Sequence, residues 1–196
     1  RITGLDADPY LLIPKALWIK NNKPDIWNKT FKLLTPNDYL ISKLTGSYVI
    51  DYINAQKWYC DISTKRYPEQ LLNELKIDLK MLPTIVSPGD YVANIRTDIG
   101  KSVGILNDAK VIATTYDAIC SFIGSGAFRE GEAVDVSGTV TVFRCASQKK
   151  PDITSTKIQH TAYMEANINI IGGSNNLGGG LIEWVKQCYY NNENIP

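Results

Sequence analysis

The sequence lacks the features by which several large classes of protein are recognised. Among its 196 residues, 21 lysines and arginines nearly balance 20 aspartates and glutamates, and no basic block follows the pattern of a nucleic-acid or membrane-surface binder. No apolar run reaches the roughly 18 to 20 residues of a membrane helix, and the opening residues do not resemble a signal peptide. We therefore expect a cytoplasmic globular protein without nucleic-acid or membrane partners.

Residues that bind metals or form disulfides are also scarce. His160 is the only histidine, which excludes a multi-histidine metal site and favours a packing or strand-surface role. Cys60, Cys120, Cys145 and Cys188 are far apart and form no C-x-x-C pair. Free buried thiols are therefore expected rather than a zinc site or a disulfide framework.

The two ends of the chain also predict something about its extent. The chain begins with Arg1 rather than methionine and stops at Pro196 just after a helical pattern, so we expect a piece of a longer protein. With 44% hydrophobic residues the chain can bury a real core, and its length suits one domain plus part of a second.

Helical patterns dominate the first ninety residues. The segment PKALWIK (14–20) has proline in its first turn, and TPNDYLISKLTG (35–46) begins at a capping threonine and ends at a glycine. Apolar residues recur at helical spacing in RYPEQLLNELKI (66–77). Prolines and a glycine interrupt MLPTIVSPGDYVANI (81–95), which predicts a connector.

The second half of the chain is richer in β patterns. The β-branched run AKVIAT (109–114) predicts a buried strand that leads into an active-site turn. From Glu132 to Ile171 the sequence alternates, which predicts two or three strands with antiparallel pairing as the simplest topology. A glycine run and an amphipathic helix (181–191) follow. A domain boundary is expected near residues 126–131.

Asp117 places a charge between the predicted strand and a helix of small residues. A carboxylate at a strand-to-helix turn can be kept ionised by the helix amides, and it lies where open α/β sheets bind ligands. Two interpretations follow, a helix N-cap and a general base within reach of an attacking hydroxyl. The residue pattern alone leaves both open.

Two glycine-containing segments could approach a phosphate. In SGTVTVF (137–143), Gly138 would let the backbone come close, and Thr139 would supply an N–H and a hydroxyl. A strand with a bulge glycine is the alternative. The run 178–180 precedes the last predicted helix, where glycines suit an anion or a nucleotide, although a flexible loop is the more frequent meaning.

The order of short motifs along the chain resembles the FGGY family of carbohydrate kinases, which contains xylulose and glycerol kinases. Each motif is weak alone, but together they cover nearly the whole chain in family order. They are R-x-TGL-x-x-DPY, K-x-x-W-x-x-x-N-x-P, DYL-x-x-x-LTG, D-x-x-NA, LP-x-x-x-x-x-G, a strand followed by D-A, S-GT-x-x-V-F and GGG-L-x-x-W.

The resemblance implies an α/β architecture, the actin-like ATPase or ribonuclease H-like fold, with sugar and nucleotide bound between two domains. Residues 1–128 would form the latter half of the first domain and residues 129–196 the beginning of the second. The implied reaction is transfer of the γ-phosphate of ATP, with Mg²⁺, to a sugar hydroxyl. The isolated chain should be inactive, because the phosphate-and-metal loop and the adenosine segment would lie outside it, and an unpaired sheet edge would favour a homo-oligomer.

The same resemblance assigns roles to particular residues. Asp117 matches the family's catalytic aspartate, which makes it the expected general base. Gly138 and Thr139 match the family's second phosphate motif. Gly179 and Glu183 are the expected contacts of the nucleotide near the glycine run.

Two aromatic residues lie where glycerol kinases place aromatics that contact a polyol. They are Trp18, within K-x-x-W, and Tyr52, within DYINA. An aromatic face with a hydroxyl suits the alternating apolar and polar faces of a sugar, and core packing is the alternative for both. Asp51 and Asn54 are interpreted as turn residues that stabilise a chain reversal.

The sequence departs from the family pattern in two places. Thr115 and Tyr116 precede the catalytic aspartate where the family usually has glycine. The segment INAQKW (53–58) replaces the Asn-Ala-Ser-Arg-Thr pattern of glycerol kinases, and VDVSGTVTVF (134–143) looks more like the pentulose-kinase branch. A ketopentose such as xylulose is therefore the expected substrate, with another polyol or ketose, or a non-kinase ATPase switch of the same fold, as alternatives.

Overall fold

The computed structural model describes residues 8–61, 63–106, 108–138, 140–149, 158–165, 167–175 and 177–190. The chain divides into two compact units, Arg1–Asp117 and Ala118–Pro196. The sequence predicts a domain boundary between residues 128 and 129, and that assignment stays a prediction. Over the described ranges, none of the helices combines the length and the apolar character that crossing a membrane requires.

The first unit is mainly helical, with two small two-stranded sheets. Strands β1 and β2 pair in parallel, and β3 and β4 pair antiparallel. Its helices and strands are α1 (Leu12–Asn22), α2 (Pro24–Trp27), α3 (Pro36–Thr45), β1 (Val49–Asp51), α4 (Tyr52–Ala55), a 3₁₀ turn (Gln56–Trp58), α5 (Glu69–Glu74), a second 3₁₀ turn (Leu79–Met81), β2 (Thr84–Val86), β3 (Tyr91–Asn94), α6 (Thr97–Val103) and β4 (Lys110–Ile112).

Helix α3 begins and ends at the residues that its capping threonine and terminal glycine predict. The Thr35 side chain accepts from the Asp38 N–H, and the Asp38 carboxylate accepts from the Thr35 N–H at 2.8 Å, which forms a capping box. Gly46 ends the helix with φ of +84° and donates to the Ser42 carbonyl. The predicted helix over 35–46 is confirmed, and PKALWIK lies within α1.

Three other predictions about this unit need correction. The helix predicted over 66–77 is only six residues long. The connector predicted over 81–95 contains β2 and β3, because each finds a partner strand far away in sequence, which local patterns do not reveal. The strand predicted as buried, β4, has Lys110 and Ile112 exposed, since it pairs only with β3 among the described strands.

Helix α1, strand β1 and the segment after it enclose the core of the first unit. Trp58, Ile50 and Leu72 are each at most 3% exposed. The buried cluster is Ile13, Ala16, Ile50, Ala55, Trp58, Tyr59, Cys60, Leu72, Ile77 and Leu82. Burial of this apolar surface gives the polar residues of the neighbouring turn a fixed position.

The second unit packs helices with one antiparallel sheet. The strand order is β5-β6-β8-β7, so the antiparallel topology is confirmed, with four strands among the described residues rather than two or three. His160 lies on β7 opposite Ile171. The elements are α7 (Asp117–Gly124), β5 (Ala133–Ser137), β6 (Thr141–Ser147), β7 (Gln159–Ala162), β8 (Asn169–Asn175) and α8 (Gly179–Tyr189).

The four cysteines are all described, and no disulfide joins any of them, as the sequence predicts. Burial was predicted for all of them and is wrong for Cys120 and Cys188, which are exposed. In α7 the apolar face is formed by Ile119 and Phe122, three residues apart, so Cys120 falls outside it.

Candidate functional site

Asp117 is the first residue of α7 and follows β4 through residues 113–116. Ala113 and Thr115 in this approach are buried, whereas the Asp117 side chain is exposed. A well-packed segment therefore presents a carboxylate at the surface, where a ligand hydroxyl can reach it, as a general base requires. The predicted strand-to-helix position is confirmed, and the catalytic role stays a prediction.

Asp51 and Asn54 form a buried polar turn in the same unit. Asp51 ends β1 and caps α4, because its Oδ1 accepts from the N–H groups of Ile53 and Asn54, both at 3.1 Å. Asn54 Nδ2 donates to Asp51 Oδ2 at 2.7 Å. The two side chains are 2% and 3% exposed. Their interpretation as residues that stabilise a chain reversal is therefore confirmed.

Burial raises the pKa of Asp51, and hydrogen bonds from Asn54, Thr115 and Ile53 oppose that rise. A buried carboxylate with several donors is held in one orientation. Asp51 therefore fixes the turn that begins α4.

Lys57 is a candidate functional residue that the sequence motifs do not indicate. It lies in the 3₁₀ turn after α4, and its Nζ donates to Asn54 Oδ1 at 3.0 Å. The same Nζ lies 4.2 Å from the centre of the Tyr116 ring, within the range of a cation–π contact. Tyr116 immediately precedes Asp117, so a cation is held beside the candidate base.

The charges around Lys57 act in opposite directions. Burial lowers the pKa of Lys57, and the nearby charges of Asp51, Asp117 and Asp38 raise it, while Lys15 lowers it further. The net direction is downward because burial is the largest effect, and the three carboxylates oppose it only in part.

Asp38 is a second candidate functional residue that the sequence motifs do not indicate. It is fully buried, and its Oδ1 has no hydrogen-bond partner among the residues that the structure describes. Burial raises the pKa of Asp38 to about 6, hydrogen bonds with Thr35 oppose the rise, and the charge of Asp51 adds to it. The threonine-x-x-aspartate spacing signals the cap, but nothing local signals the burial.

The raised pKa of Asp38 predicts a pH-dependent stability. Because the folded-state pKa exceeds the unfolded value of about 3.9, this group's stabilisation is complete below pH ~4 and is lost as the pH rises through about 6. The free energy of unfolding should therefore increase by about 1 kcal/mol between pH 7 and pH 5. Chemical denaturation at both pH values measures it. In Asp38→Asn the increase should be smaller by that amount, and an identical increase in both proteins would contradict the assignment.

The two predicted aromatic contacts differ in exposure. Trp18 on α1 is 58% exposed, so the core-packing alternative is wrong for it. Tyr52 opens α4 and is 5% exposed, with Lys65 Nζ 4.3 Å from its ring centre. Burial raises the pKa of the Tyr52 hydroxyl, and the charge of Asp51 adds to that rise. Tyr52 adjoins the polar turn, whereas Trp18 lies on a different helix, and both roles stay predictions.

The predicted phosphate contacts lie in the second unit, where two of them meet. Gly179 N–H donates to the Gly138 carbonyl at 2.6 Å, and Gly138 N–H donates to the Val140 carbonyl at 2.9 Å. Both N–H groups are therefore engaged within the chain. Of the described atoms, only the Val140 oxygen, at 3.9 Å, lies within 4 Å of a Cβ built on Gly138. The space beside Gly138 is open, and the phosphate roles of Gly138 and Gly179 stay predictions.

The remaining nucleotide candidates add little to this geometry. Thr139 lies outside the described residues. Glu183 is exposed on α8, and its Oε1 accepts from Gln187 Nε2 at 3.4 Å. No cluster of three or more histidine, cysteine, aspartate or glutamate side chains suited to a metal occurs in the described ranges.

Three comparisons relate the chain to known proteins. The family model for the N-terminal domain of FGGY carbohydrate kinases matches residues 1–124. A xylulose kinase of Lactococcus lactis subsp. lactis is 26% identical over 183 residues, covering 90% of this chain and 35% of the relative. An L-fuculokinase of Escherichia coli (strain K12) is 23% identical over 195 residues, covering 98% and 41%. The crystal structure of ligand-bound xylulose kinase from Lactobacillus acidophilus matches with a TM-score of 0.86 and 28% identity, covering 94% and 38%.

These similarities bear on the fold and on the extent of the chain. The structural neighbours are sugar kinases with the actin-like ATPase fold, which confirms the predicted fold class. The chain spans only 35% and 41% of the length of the two curated relatives.

Proposed function

Because this chain belongs to the FGGY family of carbohydrate kinases, we propose that it forms part of a longer ATP-dependent kinase that phosphorylates a ketopentose such as xylulose. Members of the family are ATP-dependent sugar kinases. The observation that carries the proposal is the exposed carboxylate of Asp117 at the start of α7, beside the buried turn of Asp51 and Asn54. The xylulose kinases among its relatives support the choice of sugar.

In this proposal Asp117 accepts the proton of the attacking hydroxyl. The sugar hydroxyl donates a hydrogen bond to the carboxylate, and the proton moves to that oxygen as the hydroxyl oxygen bonds to phosphorus. ATP supplies the transferred phosphoryl group when bound, and ADP leaves with the electron pair of the broken bond between the γ-phosphorus and the bridging oxygen. The protein's contribution is mainly position and charge, since phosphoryl transfer needs little covalent help. The packed approach through the buried residues Ala113 and Thr115 supplies that position.

We assign the remaining predicted residues to binding. Trp18 would offer its exposed indole to the apolar face of the sugar, and Tyr52 would border the polar turn. Gly138 would admit a phosphate of the nucleotide. Thr139 and Glu183 stay as predicted contacts of the nucleotide.

Gly179 takes a different part in the proposal. Its N–H is directed at the Gly138 carbonyl, so we assign it to shaping the loop at Gly138 rather than to donating to the nucleotide. The glycine run at 178–180 therefore lies next to Gly138, and the Gly179 N–H is not also counted as a donor to a phosphate.

A second candidate is a kinase of another ketose or polyol in the same family. The L-fuculokinase similarity, which covers 98% of this chain, favours this possibility over an ATPase that only switches a partner interaction. The INAQKW segment still disfavours glycerol.

ADP release by the longer protein, measured with pentuloses, hexuloses and polyols in parallel, tests the proposal. We expect xylulose to give the highest kcat/KM. A higher value with L-fuculose would select the second candidate. ATP turnover that depends on none of these compounds would contradict a kinase and favour the switch ATPase.

A further inference from the structure

Lys57 is a charged residue in a segment that is otherwise buried. From Asp51 to Cys60, every side chain except that of Lys57 is buried. An unbranched apolar residue such as methionine would fill the same space without desolvating an ammonium group. The contacts of the ammonium group with Asn54 and Tyr116 offset part of that desolvation cost.

The Lys57 ammonium group is held from two sides. Its Nζ donates to Asn54 Oδ1 at 3.0 Å, and Asn54 is itself fixed by its 2.7 Å hydrogen bond to Asp51. On the other side the Tyr116 ring centre lies 4.2 Å away. A flexible lysine side chain is thus ordered in advance beside the residue that precedes Asp117, which lowers the entropic penalty of binding.

The partners of the surrounding carboxylates show where the charge of Lys57 can act. Asp51 accepts from the backbone and from Asn54, and Asp38 accepts from Thr35. Both are buried, whereas Asp117 is exposed. The pair that can face a ligand is therefore Lys57 with Asp117.

This pair matches the chemistry of a neutral sugar. An ammonium group has three donors and no acceptor, and an ionised carboxylate only accepts. A polyhydroxylated ketone offers a hydroxyl that donates to the carboxylate and a second oxygen that accepts from the ammonium. An anionic sugar would gain from Lys57, but the three carboxylates near that lysine would repel it.

We propose that Lys57 is a specificity-determining residue whose ammonium group donates a hydrogen bond to a second oxygen of the sugar that Asp117 deprotonates. This inference rests on the proposed function. The proposed contact selects neutral ketoses that carry a hydroxyl or carbonyl oxygen within reach of the reacting hydroxyl. It gives Lys57 a part in sugar recognition that the sequence motifs leave open.

The test compares the longer kinase with its Lys57→Met, Lys57→Gln and Lys57→Arg variants on D-xylulose and on its monodeoxy analogues. We expect Lys57→Met to raise the KM for xylulose by about 10- to 100-fold, the effect of losing one charged hydrogen bond, with the KM for ATP unchanged. Lys57→Arg should recover part of the loss. Lys43→Met is the matched control, because Lys43 Nζ also lies over an aromatic ring, that of Tyr39, at 5.1 Å.

The analogues separate a contact with the sugar from a structural effect. In the unmodified kinase, one monodeoxy analogue should lose about 10- to 100-fold in kcat/KM. In Lys57→Met that analogue and xylulose should be used equally well, because the partner of the missing oxygen is gone. If Lys57→Met does not fold, Lys57→Gln provides the same comparison.

Three results would overturn the inference, and they are distinguishable. Unchanged discrimination among the analogues in the variants would exclude the contact while leaving the kinase assignment intact. A lowered kcat with an unchanged KM for xylulose would mean that Lys57 acts only through Asp117. A complete lack of sugar-dependent turnover by the unmodified protein would contradict the proposed function and this inference with it.

Discussion

Replacing Asp117 by asparagine is expected to lower sugar-dependent turnover by about two to four orders of magnitude in the kinase that contains this chain. Asparagine has nearly the shape of aspartate but cannot take up the hydroxyl proton. Because Asp117 is exposed at the start of α7 and is not part of the buried core, the fold should be retained. Steady-state kinetics with xylulose and ATP, beside a thermal melt of the same sample, measures both effects.

Asp25→Asn is the matched control for this prediction. Asp25 is also an exposed aspartate in the first turn of a helix, α2, in the same structural unit. Its replacement should leave turnover within about two-fold, the effect typical of a surface change away from the chemistry. Near-normal turnover of Asp117→Asn would remove that residue from the mechanism, and equal losses in both variants would indicate a general structural effect.

The features predicted correctly from the sequence depend on local physics or on motif order. The helix over 35–46 was predictable because its proline, capping threonine and terminal glycine act within a few residues. The antiparallel sheet followed from alternation over 132–171, since period-2 patterning is itself a property of a strand. The family followed from the order of short motifs.

The features predicted wrongly depend on contacts between distant segments. The strands within 81–95 form because β1 and β4 supply their partners, and the prolines and glycine of that segment conceal this. Cys120 and Cys188, which were predicted to be buried, are exposed, because the side of a helix that packs on the core depends on contacts elsewhere in the chain. In each case tertiary pairing or burial, rather than local propensity, determined the outcome.

Only part of the candidate site could be predicted from the sequence, for the same reason. Asp117 could be found because a charge interrupts a strand-to-helix transition. Lys57 could not, because its significance comes from its 4.2 Å distance to the Tyr116 ring, which brings together residues far apart in sequence. Its signal is a lone cation within a buried segment, and burial is not readable from one sequence.

Gly172 on β8 marks the closest backbone approach in the sheet of the second unit. It pairs with Arg144 on β6 and with Gln159 on β7, so strands flank it on both sides. A Cβ built on Gly172 would overlap the Phe143 carbonyl oxygen and would lie 2.9 Å from the Arg144 Cα. These are backbone atoms, which cannot rotate away, so a side chain here would force β8 and β6 apart.

Gly172→Ala is therefore expected to lower the free energy of unfolding by about 3 kcal/mol or more, the upper range of overpacking effects, and the apparent melting temperature by about 10 °C or more. Gly173→Ala is the control in the next position of the same strand, where no described atom lies within 4 Å of an added Cβ. It should change stability by less than about 1 kcal/mol. Thermal melts of the two variants and the parent chain measure the difference.

Since β8 leads toward α8, displacement of β8 in Gly172→Ala should also weaken the hydrogen bond from Gly179 to Gly138, detectable as faster amide exchange at Gly179. Equal melting temperatures for the two variants would show that the sheet accommodates a Cβ at Gly172, and that β6 and β8 are not packed as closely as described.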